Sequence, residues 1–451
     1  VGEARASYEQ LHGEGVDLAP VPVEVERFIR ARLDGAPLGH RASPSELDAL
    51  LDGSITAGGL GPAEAWRRVT EVIVPNTIGL DSERFLAFIP MAPSAAAVWM
   101  DAVVGAASFS AESWLEAAGA VAAEHQLVRF LADLAGLPPG AGGCCMSGGS
   151  IGNLSALAVA REHRPGRPLV AVADTVHASV DNALHLLGLT ALVVPTGPDG
   201  RFTGEGLAAA VGERTGVGVV VASGGSTNAG IVDDLAGVAE VAQRMGAWLH
   251  VDAAYGGAAL LLDELRPRFA GVEHADSIIV DPHKWLFATS GSCAVIYREP
   301  ALAAAVHTQH GPYLDVLHGD DERDWNPCDL GYQLTRRASG LPLWFSLAVH
   351  GSDAHAAAVR RGVALARYTA DAIRGLGAPL EMVIEPELSV VLFRRHGWDA
   401  TDWRRWAAGL LDAGVAFVAP TSWRGEPVGR LVFLHPRTPT SLIDEILSTL
   451  T

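Results

Sequence analysis

The chain has 451 residues, 49% of them hydrophobic, which is enough for a large core and for more than one domain. Its 33 basic against 52 acidic residues leave a net charge of −19, and that balance argues against nucleic acid or an anionic membrane as a partner, since both need a basic face. The four cysteines, Cys144, Cys145, Cys293 and Cys328, form no CxxC pair or cysteine–histidine cluster of metal-ligand spacing, so no metal site is expected and a reducing, cytoplasmic setting fits best.

The first residues, Val1-Gly-Glu-Ala-Arg-Ala-Ser-Tyr8, carry no apolar leader, and every longer apolar run is broken by charge, Gly or Pro before it could span a bilayer. Up to about Leu80 the pattern is helical. Val23 to Leu33, Ser45 to Leu51 with Ser45 as its cap, and Pro62 to Val74 have amphipathic spacing, which predicts an N-terminal helical arm or interface layer over 1–80. Arg84 to Pro90 and Pro93-Ser94 break the helix, and a long helical stretch then runs to Leu134 and stops at Gly136 and Pro138.

From about Gly142 the texture changes. Apolar β-type runs at 169–172, 217–221, 248–251, 277–280 and 294–297 alternate with helical stretches at 151–162, 180–187 and 235–245. That alternation predicts an α/β domain over 81–345, built on a mainly parallel sheet whose functional groups lie where strands end. Beyond 345 a helix at 356–376, strand-like pieces at 389–393 and 429–434 and a last helix from Ser441 predict a small α+β domain over 346–451.

Four motifs fall at strand-to-loop transitions. Met146-Ser-Gly-Gly-Ser-Ile-Gly-Asn153 precedes a helix; its glycines and the helix N-terminus could cradle an anion, or form an ordinary turn. His177, in Ala173-Asp-Thr-Val-His-Ala-Ser179, opens a helix where an imidazole can stack on a flat aromatic ligand, take part in proton transfer or simply face solvent. Asp252, in Leu249-His-Val-Asp-Ala-Ala-Tyr-Gly-Gly257, leaves a buried strand beside small residues that leave room for a ring; a capping aspartate is the alternative. Lys284, in Ile278-Ile-Val-Asp-Pro-His-Lys-Trp-Leu-Phe287, ends another strand and is the only lysine of the chain. Its apolar neighbours are expected to lower its pKa and make the amine a nucleophile for a carbonyl. A phosphate cradle, a stacking ring, a buried acid and a nucleophilic lysine, in that order, match the demands of pyridoxal 5'-phosphate.

These motifs, with Thr421-Ser-Trp-Arg-Gly-Glu-Pro-Val-Gly-Arg-Leu-Val-Phe433 and His435-Pro-Arg437, resemble the group II pyridoxal-phosphate-dependent amino acid decarboxylases from about Arg84 to the C-terminus. The resemblance implies a fold-type I architecture, a homodimer with active sites at its interface, and α-decarboxylation of an L-amino acid to an amine and carbon dioxide. It gives Lys284 the Schiff base, Asp252 the pyridinium partner, His177 the stacking ring and Ala254 a packing position. Gly148, Gly149, Ser150 and His283 fall on the phosphate side, Ser226 near cofactor or substrate, and Tyr313 on the mobile loop, where it is linked to reprotonating the carbon after carbon dioxide leaves.

Two segments depart from the family pattern. Where Ser-Pro-Ala-x-Thr-Glu-Leu-Glu is usual, the chain reads Glu116-Ala-Ala-Gly-Ala-Val-Ala-Ala-Glu124, keeping only the last acid. Thr335-Arg-Arg-Ala-Ser-Gly-Leu-Pro-Leu-Trp344 keeps its paired arginines but has Thr335 for a glycine and Pro342 for a lysine. Arg336 or Arg337 is accordingly open to two readings, a substrate carboxylate ligand or a structural ion-pair partner. Decarboxylation-coupled oxidative deamination to an aldehyde, another lyase reaction on a specialised-metabolite amino acid, and a catalytically silent subunit of the same fold are the competing functions.

Overall fold

The computed structural model of the chain describes Leu11 and residues 17–317 and 325–451; the stretch Val1 to Tyr8, read above as lacking an apolar leader, lies outside the described residues. Three short helices come first: α1 (Val21–Asp34), α2 (Pro44–Leu51) and α3 (Pro62–Arg68), the last continued by a π-helical turn at Val69–Ile73. The cap of α2 is Ser43 and not Ser45. Ser43 accepts from the backbone N–H of Glu46 while Glu46 reaches back to the Ser43 backbone, and Pro44 fills the first helical position, where no N–H is needed.

The long helical stretch is two helices, α4 (Ala95–Ala107) and α5 (Trp114–Leu134), separated at Ser108 by a left-handed residue. Helix α5 is kinked at Ala117, inside the segment that departs from the family pattern.

Strand and helix then alternate: β1 (Gly142–Met146), α6 (Gly149–His163), β2 (Leu169–Ala173), α7 (Ala178–Leu187), β3 (Thr190–Val194), α8 (Gly204–Val211), β4 (Val217–Ser223), α9 (Leu235–Met245), β5 (Trp248–Asp252), β6 (Ser277–Val280) and β7 (Cys293–Tyr297). They form a seven-stranded sheet in the order β1-β7-β6-β5-β4-β2-β3. Only β7 runs against its neighbours, so the carboxyl ends of the other six strands share one edge. Central strands such as β4 and β6 read as unbroken apolar runs because helices cover both faces, and their side chains are buried throughout their inner length.

After α10 (Pro300–His307) the chain enters α11 (Leu341–Leu376), which is kinked at Gly351 (φ +77°) and carries through the boundary expected near 345. A second sheet, in the order β10-β11-β9-β8, follows: β8 (Leu380–Met382), β9 (Val390–Arg395), β10 (Thr421–Trp423) and β11 (Glu426–Val432), with α12 (Ala400–Asp412) and α13 (Thr440–Ser448) packed on it. Its core gathers Phe393, Trp403, Trp406 and Phe433 with Leu442 and Ile446. Among the described residues no helix is long and apolar enough to cross a membrane.

Candidate active site

At the carboxyl edge of the large sheet lies a cavity of about 450 Å³. Most of its walls are segments that leave a strand: Ser147 to Ile151 and Asn153 after β1, Thr175 and His177 after β2, Ser223 and Gly225 to Thr227 at the end of β4, Asp252, Ala254 and Tyr255 after β5 and Asp281, His283 and Lys284 after β6; Ser290 and Gly291, which lead into the antiparallel β7, complete it. This is where an open α/β sheet leaves backbone groups and side chains free for a ligand. It gathers Lys284, Asp252, His177, Gly148, Gly149, Ser150, Ser226, Ala254 and His283 in one place. Tyr313 is not among its walls and stands 74% exposed.

The turn Asp281-Pro-His-Lys284 delivers the lysine. The Asp281 N–H donates to Ala254 O (3.0 Å) and the Lys284 N–H to Asp281 O (3.0 Å), while buried Trp285 stacks on Tyr255 at 5.2 Å behind it. Lys284 Nζ lies 2.9 Å from Asp281 Oδ2, and that carboxylate is only 2% exposed. The expected depression of the lysine pKa is reversed. Burial does push the ammonium down, but Asp281 and Asp252 outweigh it and hold the amine above its ordinary value. Apolar neighbours were visible in the sequence; a carboxylate folded back onto the amine was not.

A hydrogen-bond relay fixes Asp252, and its donors can be assigned from chemistry alone. Trp248 Nε1 can only donate, and does so to Ser277 Oγ (2.8 Å). Ser277 Oγ lies 2.8 Å from His250 Nδ1, and His250 Nε2 lies 2.8 Å from Asn153 Oδ1. Asn153 Nδ2 donates to Asp252 Oδ2 (3.0 Å) and to Ser179 Oγ (2.9 Å). Because the Asn153 oxygen must accept, His250 donates from Nε2 and accepts at Nδ1 from the serine hydroxyl. Burial pushes the His250 pKa down to about 4, so the imidazole is neutral at physiological pH, as this polarity requires. Ser179 in turn meets His177 Nδ1, through its hydroxyl at 2.7 Å and its backbone N–H at 3.2 Å. His177 therefore accepts at Nδ1 and carries its proton on Nε2.

Gly148, Gly149 and Ser150, expected on the phosphate side, occupy the N-terminus of α6, where Gly148 is the cap and the first backbone N–H groups have no acceptor within the helix. Glycine is favoured here by contact. A Cβ on Gly149 would stand 2.8 Å from Asp281 Oδ2, and one on Gly152 would stand 2.7 Å from Cys293 Sγ. His283 is tied by Nδ1 to the backbone of Ser292, and Ser226 Oγ accepts from Ile231 N (3.2 Å). Ala254 donates its N–H to Asp252 Oδ1 (3.1 Å) and, lacking a longer side chain, leaves the cavity open beside that carboxylate.

Neither of the paired arginines lines this cavity. Arg336 is buried against Glu124, Nη2 to Oε1 2.5 Å, with Glu124 Oε1 also accepting from Cys145 N (3.0 Å), and Arg337 pairs with Asp101 at 2.8 Å. Both are engaged structurally, and the acid retained at Glu124 is the one that needs the arginine.

Reasoning from sequence passed over Asn153, His250, Ser277 and Arg430. A signal existed for His250, since residues two apart on a strand face the same side, which puts it with Asp252. Arg430 lies within the Thr421–Phe433 motif, but its residue type and spacing did not mark it as a buried cation near the lysine. It lines a neighbouring cavity of about 480 Å³ that shares Thr175, His177, Thr227 and Lys284 with the first. Only 4% exposed, its Nε donates to Asn228 O and its Nη2 to Phe88 O and Thr227 O, and among the described residues no carboxylate lies within ion-pairing distance. Burial pushes this guanidinium down to about 10.

A flat, phosphorylated aldehyde fits this donor set. The glycine-lined helix start suits a phosphate, the relay-held carboxylate a ring nitrogen, and the lysine a carbonyl carbon. Residues 64–396 match the pyridoxal-dependent decarboxylase conserved domain. The chain is 28% identical to the aromatic-L-amino-acid decarboxylase of Bacillus atrophaeus over 92% of its own length and 90% of that protein's. It is 29% identical to the L-2,4-diaminobutyrate decarboxylase of Rhizobium meliloti over 87% and 82%. Its fold superimposes on the Oryza sativa TDC solved with PLP and tryptamine with a TM-score of 0.86 at 25% identity, covering 100% of this chain and 99% of that one. From its domain match, its relatives and the cavity its strands build, the chain belongs to the group II pyridoxal-dependent decarboxylases, as an amino acid decarboxylase of fold type I whose cofactor is pyridoxal 5'-phosphate.

Proposed function

We propose that the chain removes the α-carboxylate of an L-amino acid as carbon dioxide and releases the amine, with Lys284 as the cofactor's attachment point. The observation that carries this reading is the pairing, across one cavity, of the chain's single lysine with a carboxylate held by a four-residue relay. The bound cofactor supplies an electron sink for the bond that breaks. Asp252, which the relay keeps from turning away, would hold a proton on the cofactor's ring nitrogen. His177, its Nδ1 occupied by Ser179, offers a ring face and an Nε2–H at the mouth. Arg430, a buried cation without an acid of its own, is suited to the substrate carboxylate. Tyr313 returns a proton to the α-carbon, a step of general acid catalysis usually worth about 10²–10⁴ in rate.

The same reading makes the protein a cytoplasmic homodimer with a helical arm (1–80), a cofactor domain (81–345) and a small domain (346–451). Four free, buried cysteines support a reducing compartment. A second subunit is supported by a groove of about 680 Å³ between α4, α5 and α11, beside exposed Phe109 and Leu115, and by the position of Tyr313 away from its own chain's cavity. Lys284→Ala should lose both the visible cofactor band and turnover, and a yellow, active Lys284→Ala protein would sink the assignment. Tyr313→Phe should divert product from amine toward aldehyde. Refolding Lys284→Ala and Tyr313→Phe chains together should restore amine formation if Tyr313 serves the partner's cavity, because each mixed dimer then holds one intact site. No restoration means that it serves its own.

A further inference from the structure

The carboxylate of Asp281 has no role in the chemistry above, yet it is built into the site more tightly than Asp252. It is 2% exposed; its Oδ2 touches Lys284 Nζ at 2.9 Å, its Oδ1 has no hydrogen-bond partner among the described residues, and the start of α6 is bare of side chains where it lies, since a Cβ on Gly149 would reach within 2.8 Å. The other titratable or charged groups around the pair are Asp252 at the end of β5, Cys293 on β7, His283, whose Nε2 is 3.9 Å from Asp281 Oδ2, and His177 and Arg430, which line the neighbouring cavity with Lys284. Asp281 is the group that touches the amine, at 2.9 Å.

We infer that Asp281 is the resident counter-ion of Lys284, a positioning residue that sets the proton on the lysine nitrogen both as a free amine and when joined to a carbonyl carbon; the second half rests on Lys284 being the attachment point. Joining requires the ammonium to shed one proton, its freed electron pair to add to the carbonyl carbon, and the carbonyl oxygen to leave as water with the two remaining N–H protons. Asp281 Oδ2 takes the first proton and returns it to the nitrogen of the product, whose positive charge it then balances.

Because the chain has a single lysine, its protonation can be read directly. The full-length, cofactor-free protein is reductively methylated with formaldehyde and cyanoborohydride across a pH series, and Lys284 is followed by peptide mass. The wild-type midpoint should lie above the ordinary lysine value of about 10.4. Asp281→Asn should lower it by at least about one unit, making Lys284 about tenfold more reactive at pH 8, and Asp281→Glu should restore most of the shift. In the holoenzyme the midpoint of the absorbance–pH titration should also fall in Asp281→Asn. An unmoved midpoint in Asp281→Asn overturns the inference. Should that variant fail to fold, a wild-type midpoint below the ordinary value overturns it equally. A wild-type holoenzyme with no lysine-linked band would instead defeat the attachment reading, while the methylation profile still decides the role of Asp281.

Discussion

Asn153→Ala tests the relay at its narrowest point. The amide is 1% exposed and makes three bonds: to Asp252 Oδ2 at 3.0 Å, to Ser179 Oγ at 2.9 Å and from His250 Nε2 at 2.8 Å. Truncation removes a hydrogen bond to a charged acceptor, worth about 1.5–3 kcal/mol, and strands the buried His250 N–H, which costs about 1–3 kcal/mol more. Helix propensity contributes nothing adverse, since Ala is the best helix former and position 153 lies within α6. The sum, about 2.5–6 kcal/mol, divides between folding stability and the fixed aim of Asp252. If about 1.4 kcal/mol of it falls on cofactor binding, the Kd rises tenfold. Fluorescence titration with pyridoxal 5'-phosphate, alongside a thermal melt of the cofactor-free chain, measures both parts. Ser179→Ala, which deletes one neutral partner, should cost only about 1 kcal/mol. An Asn153→Ala protein that melts with wild type and binds cofactor within about twofold of it would refute the relay.

Gly149→Ala should weaken cofactor retention on dialysis without unfolding the chain, because the new methyl displaces the Asp281 carboxylate at the end of a cavity rather than within a core. Arg336→Ala should destabilise the chain by about 3–5 kcal/mol in chemical denaturation by leaving the Glu124 carboxylate buried and unpaired, whereas Glu124→Leu with Arg336→Met should recover most of the loss. His250 should make stability fall with acid. Its folded pKa of about 4 lies below the ordinary histidine value of about 6.5, so the unfolded chain binds the extra proton first. Stability is then lost as pH drops from about 6.5 toward 4, up to about 3 kcal/mol, and changes no further below that. Denaturation midpoints at pH 7 and pH 4.5 measure the slope, which His250→Gln should flatten.

Much of this architecture is legible in the linear chain because a parallel sheet covered on both faces writes its strands as apolar runs, and its chemistry as polar residues at their ends. Lys284, Asp252, His177, Gly148 and Gly149 are legible on that basis, and they line one cavity. Strand β1, whose Gly-Gly-Cys-Cys-Met carries no β-branched residue, and β3, half of it exposed at the sheet's edge, gave too little pattern to be seen. The capping serine of α2 was misplaced by two residues because both candidates precede the same apolar run, and only the Glu46 contact separates them.

What tertiary structure alone decided is the electrostatic character of the site. Composition around Lys284 argued for a lowered pKa, but the sign depends on whether a carboxylate three residues back folds onto the amine, a matter of 2.9 Å that a turn sets and no spacing reveals. Arg336 and Glu124 are separated by 212 residues and their ion pair becomes visible only when α5 and the start of α11 are packed together. Residue type and period say which groups a strand end can offer. Which of them touch, and therefore which charge prevails, follows from the closing of the chain on itself, because Coulomb energies vary with distances that pattern does not contain.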